Sequence, residues 1–490
     1  MDWSELLRIA ESATEFNAPA LSGRKNLRRS WSNTTLPPRD EFTEVGHARR
    51  FVDLYGQLIL YVADEQAWYV WEGHRWTKDH KGTVISLVMQ YGEEFKDMLF
   101  RTYNEDARRP YRNISTRLGT LAGVKAVAEM AKRDERIQAL STDFDQGDEE
   151  LNTPAGVVNL RTGETAPPDP AVLVRRSTTV APDFNAECPK FEHFLATTFA
   201  GEPDKTRWLQ VQAGVTLIGS QPTQQFIYCK GTENGADGKS RLMELFLNLL
   251  GQENGAGYAT VSDRRVFEKS TSDRHSTELA KLAGVRMVVT SELGSTKQLD
   301  ADKVKGMVAG DSMTARFMRG DEFVFTPQFM LWAMSNHHAK VDASDGAFWR
   351  RAAVLEFSHS VPIEERIAGL DRIIATEEGP AVLAWMIQGA RSYFEYGFNV
   401  PQSVQDASEN YRAAVDTFDE WADESVVFGE GYDERASTLY EHYSRWCNAS
   451  RVTPLSKNKF GQRMEDSGAE RYKGTAGVRA YSGVKLSLRF

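Results

Sequence analysis

At 490 residues, 41% hydrophobic and 26% charged, the chain is long enough for two to four domains with buried cores, and its composition is that of a soluble globular protein. No apolar run approaches the ~20 residues of a membrane span, and "MDWSELLRIAES" lacks the charged-then-apolar layout of a signal peptide, so no membrane partner is expected. A net charge of −10 excludes a surface that is basic all over, and the scattered Cys188, Cys229 and Cys447 give no zinc spacing and suit a reducing cytoplasm.

In chain order, residues 1–44 read as a flexible segment, polar and broken by Pro37-Pro38. Residues 45–200 read as a mixed α/β flanking domain. "LILYVADEQAWYVWEGHRW" alternates as in a β-meander, "LGTLAGVKAVAEMAKRDERIQAL" has helical spacing, and "NTPAGVVNLRTGE" is a short strand ending in a turn. Asp143 and Asp145 form an Asp-x-Asp pair, but their acidic, turn-like surroundings favour a solvated loop over a metal site, and no primer synthesis is expected of this chain alone.

The core, residues 201–365, turns on "GTENGADGKS", residues 231–240. A phosphate loop reads G-x-x-x-x-G-K-[ST]; here Gly238-Lys239-Ser240 is present, but the first glycine would fall at Glu233. Counted from Gly231, six residues precede Gly238, with Gly235 and Asp237 among them. The strand-like Phe226–Cys229 comes before, and Leu242, Leu245, Phe246, Leu249 and Leu250 follow at helical spacing. Strand, glycine loop, Lys-Ser and helix is the order a phosphate cradle needs. Backbone N–H groups hold the phosphates, Lys239 reaches the β/γ-phosphates of ATP, and Ser240 binds Mg²⁺. The bland alternative is a Gly-Lys-Ser turn.

Three apolar runs follow. Val285–Val289 delivers Glu292, suited to polarising water or supporting Mg²⁺; "FMLWAMSN" ends in Asn336, suited to orienting that water; and Arg350-Arg351 precede Ala352–Phe357, suited to reaching a neighbouring copy's phosphates. Singly, each reads equally as a surface acid, a loop cap or a solvated pair. The histidines His337 and His338 are taken as loop residues.

Residues 366–428 have helical periodicity, and "VVFGEGYDE" reads as a linker. From Arg435 to Phe490 there are eleven Lys/Arg against four Asp/Glu, a net +7, which is either a contact for nucleic-acid phosphates or a solvated face. Residues 429–490 read as helix, helix and β-wing. Leu439, Tyr443, Trp446 and Cys447 share a face, and Ser456 caps a second helix with Phe460 and Met464 inward and Lys457, Lys459 and Arg463 exposed.

The stretches "STELAKLAGVRMVVTSELG", "LDADKVKGMVAGDSMTARFMRGDEFVFTPQFMLWAMSNHH" and "SDGAFWRRAAVLEF" resemble the C-terminal ATPase of phage and plasmid primase-helicases. That family is shared with poxvirus primase-helicases and belongs to the superfamily 3 helicases; the likeness extends over roughly residues 43–490. It implies an α/β fold: a P-loop, AAA+-like core with a mixed N-terminal domain and a C-terminal winged helix. It implies an ATP-dependent DNA helicase of a phage or plasmid-type replicon in a bacterial host, moving 3′ to 5′ as a ring, a hexamer, on single-stranded or forked DNA beside a separate primase. By position Lys239 and Ser240 match the Walker A pair, Glu292 the Walker B acid (with Ser240 on Mg²⁺), Asn336 the sensor, and Arg351, with Arg350 second, the trans-acting finger. The hairpin "MTARFMRGDEFVF" would place Arg319 and Arg316 against DNA. The departure is the loop, where Asp237 and about two extra residues replace a compact Asn-Gly-Lys-Ser turn, adding a negative charge that Mg²⁺ and Lys239 must offset. The rival readings are a DNA-binding replication initiator or scaffold without turnover, and a small-molecule kinase, which explains neither hairpin nor tail.

Overall fold

The computed structural model describes residues 43–490 apart from 103, 233–234, 253–254, 270–275, 292, 294–298, 318–320, 337–340, 342–344, 416, 451–453, 474–478 and 488–490. Two compact units emerge that do not follow simple sequence order. Among the described residues, one takes the chain up to Phe184 with Leu249–Tyr258, the other Asn185–Asn248 with the chain from Ala259 onward.

In the first unit, α1 (Glu44–Tyr55) begins where the Thr43 side chain accepts from Gly46 N–H. The alternation of "LILYVADEQAWYVWEGHRW" becomes an antiparallel meander, β1 (Ile59–Val62), β2 (Ala67–Trp71) and β3 (Trp76–Lys78), joined in parallel by the short β4 (Gln138–Ala139). It packs with α1, α2 (Thr83–Thr102) and α3 (Leu121–Ala131) around Phe51, Val52, Trp76, Tyr91 and Phe95. The expected helix is shorter than its pattern, because the chain after Ala131 turns through a 3₁₀ segment into β4. The single strand expected in "NTPAGVVNLRTGE" is a hairpin, β5 (Glu150–Thr153) with β6 (Gly156–Asn159), and β7 (Thr165–Ala166) adds a third strand. His47 is buried, its Nδ1 2.8 Å from the Tyr91 hydroxyl; burial, with the Arg50 charge beside it, pushes its pKa down to about 4.

The second unit is built on five parallel strands, β8 (Phe226–Lys230), β9 (Ala259–Val261), β10 (Met287–Ser291), β13 (Met330–Ser335) and β14 (Ala352–Glu356), in the order β14-β8-β13-β10-β9. A parallel sheet is covered on both faces, which is why these strands read as continuous apolar runs. Helix α4 (Pro189–Thr198) has no side-chain cap of its own; the buried Glu378 carboxylate accepts from the N–H groups of Lys190 and Phe191. The polar stretch "MTARFMRGDEFVF" forms the hairpin β11 (Met313–Arg316) and β12 (Glu322–Phe325), paired Arg316 to Glu322 at its outer end.

The C-terminal part corrects one expectation. "VVFGEGYDE" is no linker but lies within β15 (Val426–Arg435), paired antiparallel with β17 (Arg479–Leu486); β16 (Glu470–Lys473) lies on the other side of β17. A register shift between Phe428 and Asp433 breaks the alternation around Gly429 and Gly431, and the pairing partner lies some fifty residues away, so no local pattern marks the strand. Helices α14 (Ala436–Ala449) and α15 (Lys457–Asp466) bury Leu439, Tyr443, Cys447, Phe460 and Met464 as expected, with Phe418, Trp421, Tyr481 and Val484 completing the core.

Candidate functional site

In a parallel sheet, ligands bind beyond the carboxyl ends of the strands, at the point where the strand order reverses. Here that point is β8: the chain leaves it to build β9, β10 and β13 on one side and returns with β14 on the other. The loop after β8 runs into α6 (Lys239–Leu250), close to the predicted helix.

The loop is tightly held. Gly231 N–H donates to Ser335 O at 2.9 Å, fastening it to the end of β13. A Cβ at Gly231 would lie 2.3 Å from both Asp237 Oδ2 and Lys239 Nζ and 2.6 Å from Asn336 Oδ1, so any larger residue would have to push these three side-chain ends out of their present contact. Gly238 has φ +87° and backs onto Thr198 and Phe194. Lys239 is 7% exposed; its Nζ donates to Asp237 Oδ2 at 3.1 Å and Oδ1 at 3.3 Å, and to Asn336 Oδ1. Asp237, 2% exposed, also accepts from the N–H groups of Thr232 and Lys239. Below them, burial pushes the Cys229 thiol well above its ordinary range, despite the opposing Lys239 charge.

Asn336 is therefore brought, across 97 residues, to the loop that carries Gly231, Asp237, Gly238 and Lys239. Gly235 (φ +65°) lies in the loop turn, and Ser240 is exposed on the first turn of α6. β10 ends on the same edge, its Ser291 paired with Met334, while Glu292, the next residue, lies outside the described residues, as do Arg319, His337 and His338. Converging N–H groups and an ammonium suit this edge to an oxyanion, and they already hold a carboxylate.

Arg350 and Arg351 are not part of this cluster. Phe226 N–H donates to Arg351 O where β14 and β8 begin, at the opposite end of the sheet from the loop. Five residues at ~3.3 Å each separate the two edges by about 16 Å. Arg350 is exposed, and Arg351 Nη1 donates to Ala347 O at 3.0 Å.

Some site residues escape sequence reasoning. Thr232 Oγ1 lies 2.9 Å from Ser360 Oγ, both hydroxyls lie 3.1 Å from Gly235 O, and Val361 N–H donates to Ala236 O. The segment after β14 thus clamps the loop, and nothing in "SHSVPIE" announces it. On the hairpin, Arg316 is exposed beside Phe317, which is 53% exposed and stacked on Phe323 (centroids 5.4 Å, 17° between planes). Here the interleaving of arginine and phenylalanine in "TARFMRGDEF" was a usable signal.

On α15, Lys457 and Lys459 are exposed, the former over the Tyr440 ring at 5.5 Å. Arg463 is half-buried rather than exposed as expected. It bonds to Asp419 at 2.6 Å and lies over the Phe418 ring, pinning α15 to α13 (Thr417–Ser425). Asp145 is likewise structural, accepting from the N–H groups of Arg175 and Arg176. Among the described residues no helix is long and apolar enough to cross a membrane.

Residues 48–200 match the family model described as "D5 N terminal like", and residues 230–351 one described as a family of unknown function, DUF5906. The chain is 25% identical over 270 residues to "Putative helicase L207/L206" of Acanthamoeba polyphaga mimivirus, an alignment covering 51% of this chain and 28% of that one. It is 25% identical over 303 residues to "Putative helicase 022R" of Frog virus 3, covering 57% and 30%. The chain spans about a third of these relatives' length. Among solved structures, an apo form of the NrS-1 C-terminal region aligns over 88% of this chain and 98% of that one at 10% identity, with a TM-score of 0.44, too loose to carry an argument. At the coarse level, the chain is similar to helicase-like viral replication proteins.

Proposed function

We propose that the chain is an ATP-dependent DNA helicase of superfamily 3 type, working as a hexameric ring that moves 3′ to 5′ on single-stranded DNA. One observation carries the reading: Lys239 and Asn336, 97 residues apart, meet over a glycine loop at the reversal point of a parallel sheet. The resemblance of the flanking stretches and the viral helicase-like relatives support it further.

In this reading the loop N–H groups and Lys239 hold the phosphates of ATP, and Ser240 and Glu292 hold Mg²⁺. Asn336 orients the lytic water. ATP bound there supplies the phosphoanhydride bond whose hydrolysis drives movement. Arg351, with Arg350 second, is too far from its own loop to serve it, and a neighbouring copy's site is the one it completes. Arg316 and Arg319 on the hairpin, with Lys457 and Lys459 on α15, hold DNA phosphates.

ATP turnover, with and without single-stranded DNA, tests this in wild type and Lys239→Ala. DNA-stimulated hydrolysis, reduced at least 100-fold in the variant, is expected. A second reading, a replication initiator or scaffold without turnover, is favoured by the Asp237 carboxylate that already occupies Lys239. DNA binding with no wild-type hydrolysis would establish it in place of the motor.

A further inference from the structure

Asp237 is the side chain that distinguishes this loop from a compact Asn-Gly-Lys-Ser turn, and its placement is unusual for an acid. The carboxylate is 2% exposed. Oδ2 accepts from Thr232 N–H at 2.9 Å and Lys239 Nζ at 3.1 Å, while Oδ1 accepts from Lys239 N–H and Nζ, each at 3.3 Å. An aspartate commonly accepts from the N–H two residues on, which accounts for the Lys239 backbone bond. It does not account for the Thr232 N–H, from five residues earlier, or for the lysine. Two backbone N–H groups and the loop lysine closing on one buried anion is the donor set by which such loops hold phosphate.

We infer that Asp237 is an internal counter-anion that sets the nucleotide affinity of this loop: its carboxylate takes donors that a phosphate group takes, and phosphate enters by turning it out. This rests on the nucleotide reading above and adds what limits binding. Two anions cannot share Lys239 without repelling each other, least of all in a buried site where water screens poorly.

The loop is arranged for such a turn. Its near part is fixed, because Gly235 O and Ala236 O accept from Ser360 and Val361. Its far part is α6. Between them stand Asp237 and Gly238, and Gly238 at φ +87° has the backbone freedom that a reorientation needs. Gly231, across from Asp237, leaves the room that a Cβ would fill.

The test is equilibrium titration of the full chain with a fluorescent ATP analogue and Mg²⁺, in wild type, Asp237→Asn, Asp237→Ala, and each combined with Lys239→Ala. Circular dichroism and thermal midpoints check that every variant folds. The expected result is binding tighter by about tenfold or more in both single Asp237 variants, persisting at 0.5 M salt because the charge is buried, and collapsing to less than about twofold without Lys239. Glu244→Gln, at an exposed acid on α6, should change affinity by less than about twofold. Folded Asp237 variants that bind as wild type does, or more weakly, would overturn the inference and leave the nucleotide reading standing. Absence of binding in wild type and in both folded variants would overturn both.

Discussion

The two units bury polar side chains in opposite ways. In the first, the buried pair is His47 and Tyr91, held neutral: burial drives the histidine's pKa to about 4 and the tyrosine's upward. In the second, the buried pair is Lys239 and Asp237, oppositely charged groups closed on each other beside Asn336. A neutral pair packs like any other part of a core. An ion pair out of water is costly to keep and is weak evidence of stabilisation, so its presence directs attention to chemistry. Charge should therefore matter to activity in the second unit, and to pH-dependent stability in the first.

The strongest test of that contrast is Arg351, the charge set on the far edge of the sheet. Arg351→Ala is expected to lower ATP turnover at least 100-fold while leaving nucleotide affinity within about twofold. Mixed in equal amounts with Lys239→Ala, it should recover activity, since about a quarter of interfaces in a mixed ring pair an intact lysine with an intact arginine. A mixture as inactive as its components would place the arginine's role within its own chain.

In the first unit the lowered pKa of His47 ties stability to pH. Between pH 6.5 and about 4 the unfolded chain takes up a proton on His47 that the folded chain refuses. The stabilisation is thus complete above pH 6.5 and is lost as the pH falls toward 4, by an upper limit of about 3 kcal/mol. Amide exchange in α1 and α2 should show His47→Asn losing less protection than wild type over that interval, with ATP turnover unchanged. Equal losses would remove His47 from the account.

The smallest effects belong to the C-terminal module. Lys457→Ala and Lys459→Ala should each reduce the slope of log affinity for single-stranded DNA against log salt by about one or less. Arg463→Ala should leave that slope unchanged and lower the module's stability by about 1 kcal/mol, since its charge is answered by Asp419. A slope change for Arg463 alone would reverse the assignment.

Much of this was legible in the chain because parallel strands advertise themselves. Phe226–Cys229, "FMLWAMS" and Ala352–Phe357 mark β8, β13 and β14 to within a residue. Val285–Val289 is two residues early: the strand begins at Met287, while Arg286 accepts from Met330 N–H and sends its guanidinium to Leu217 O. What could not be read was whatever depended on a partner far along the chain. The parallel pairing of β14 with β8 put the arginine pair at the far end of the sheet, Asp419 claimed Arg463 from 44 residues away, and Ser360 clamped a loop 128 residues before it. The Asp237 substitution was visible; that it would fill the loop's own anion seat was not.

The strand order of the C-terminal sheet, β15-β17-β16, has a consequence for synthesis. Its middle strand is the last of the three to be made. Between the end of β15 at Arg435 and the start of β17 at Arg479 a translating ribosome needs several seconds, at ~5–20 residues per second. Throughout that interval β15 waits for its partner, and β16, once made, waits for the same strand, because among the described residues the two do not pair with each other. A nascent chain that stalls before β17 carries two unpaired edges and an open aromatic core, so quality-control proteases would meet stalled chains as unfolded tails and completed ones as a closed module.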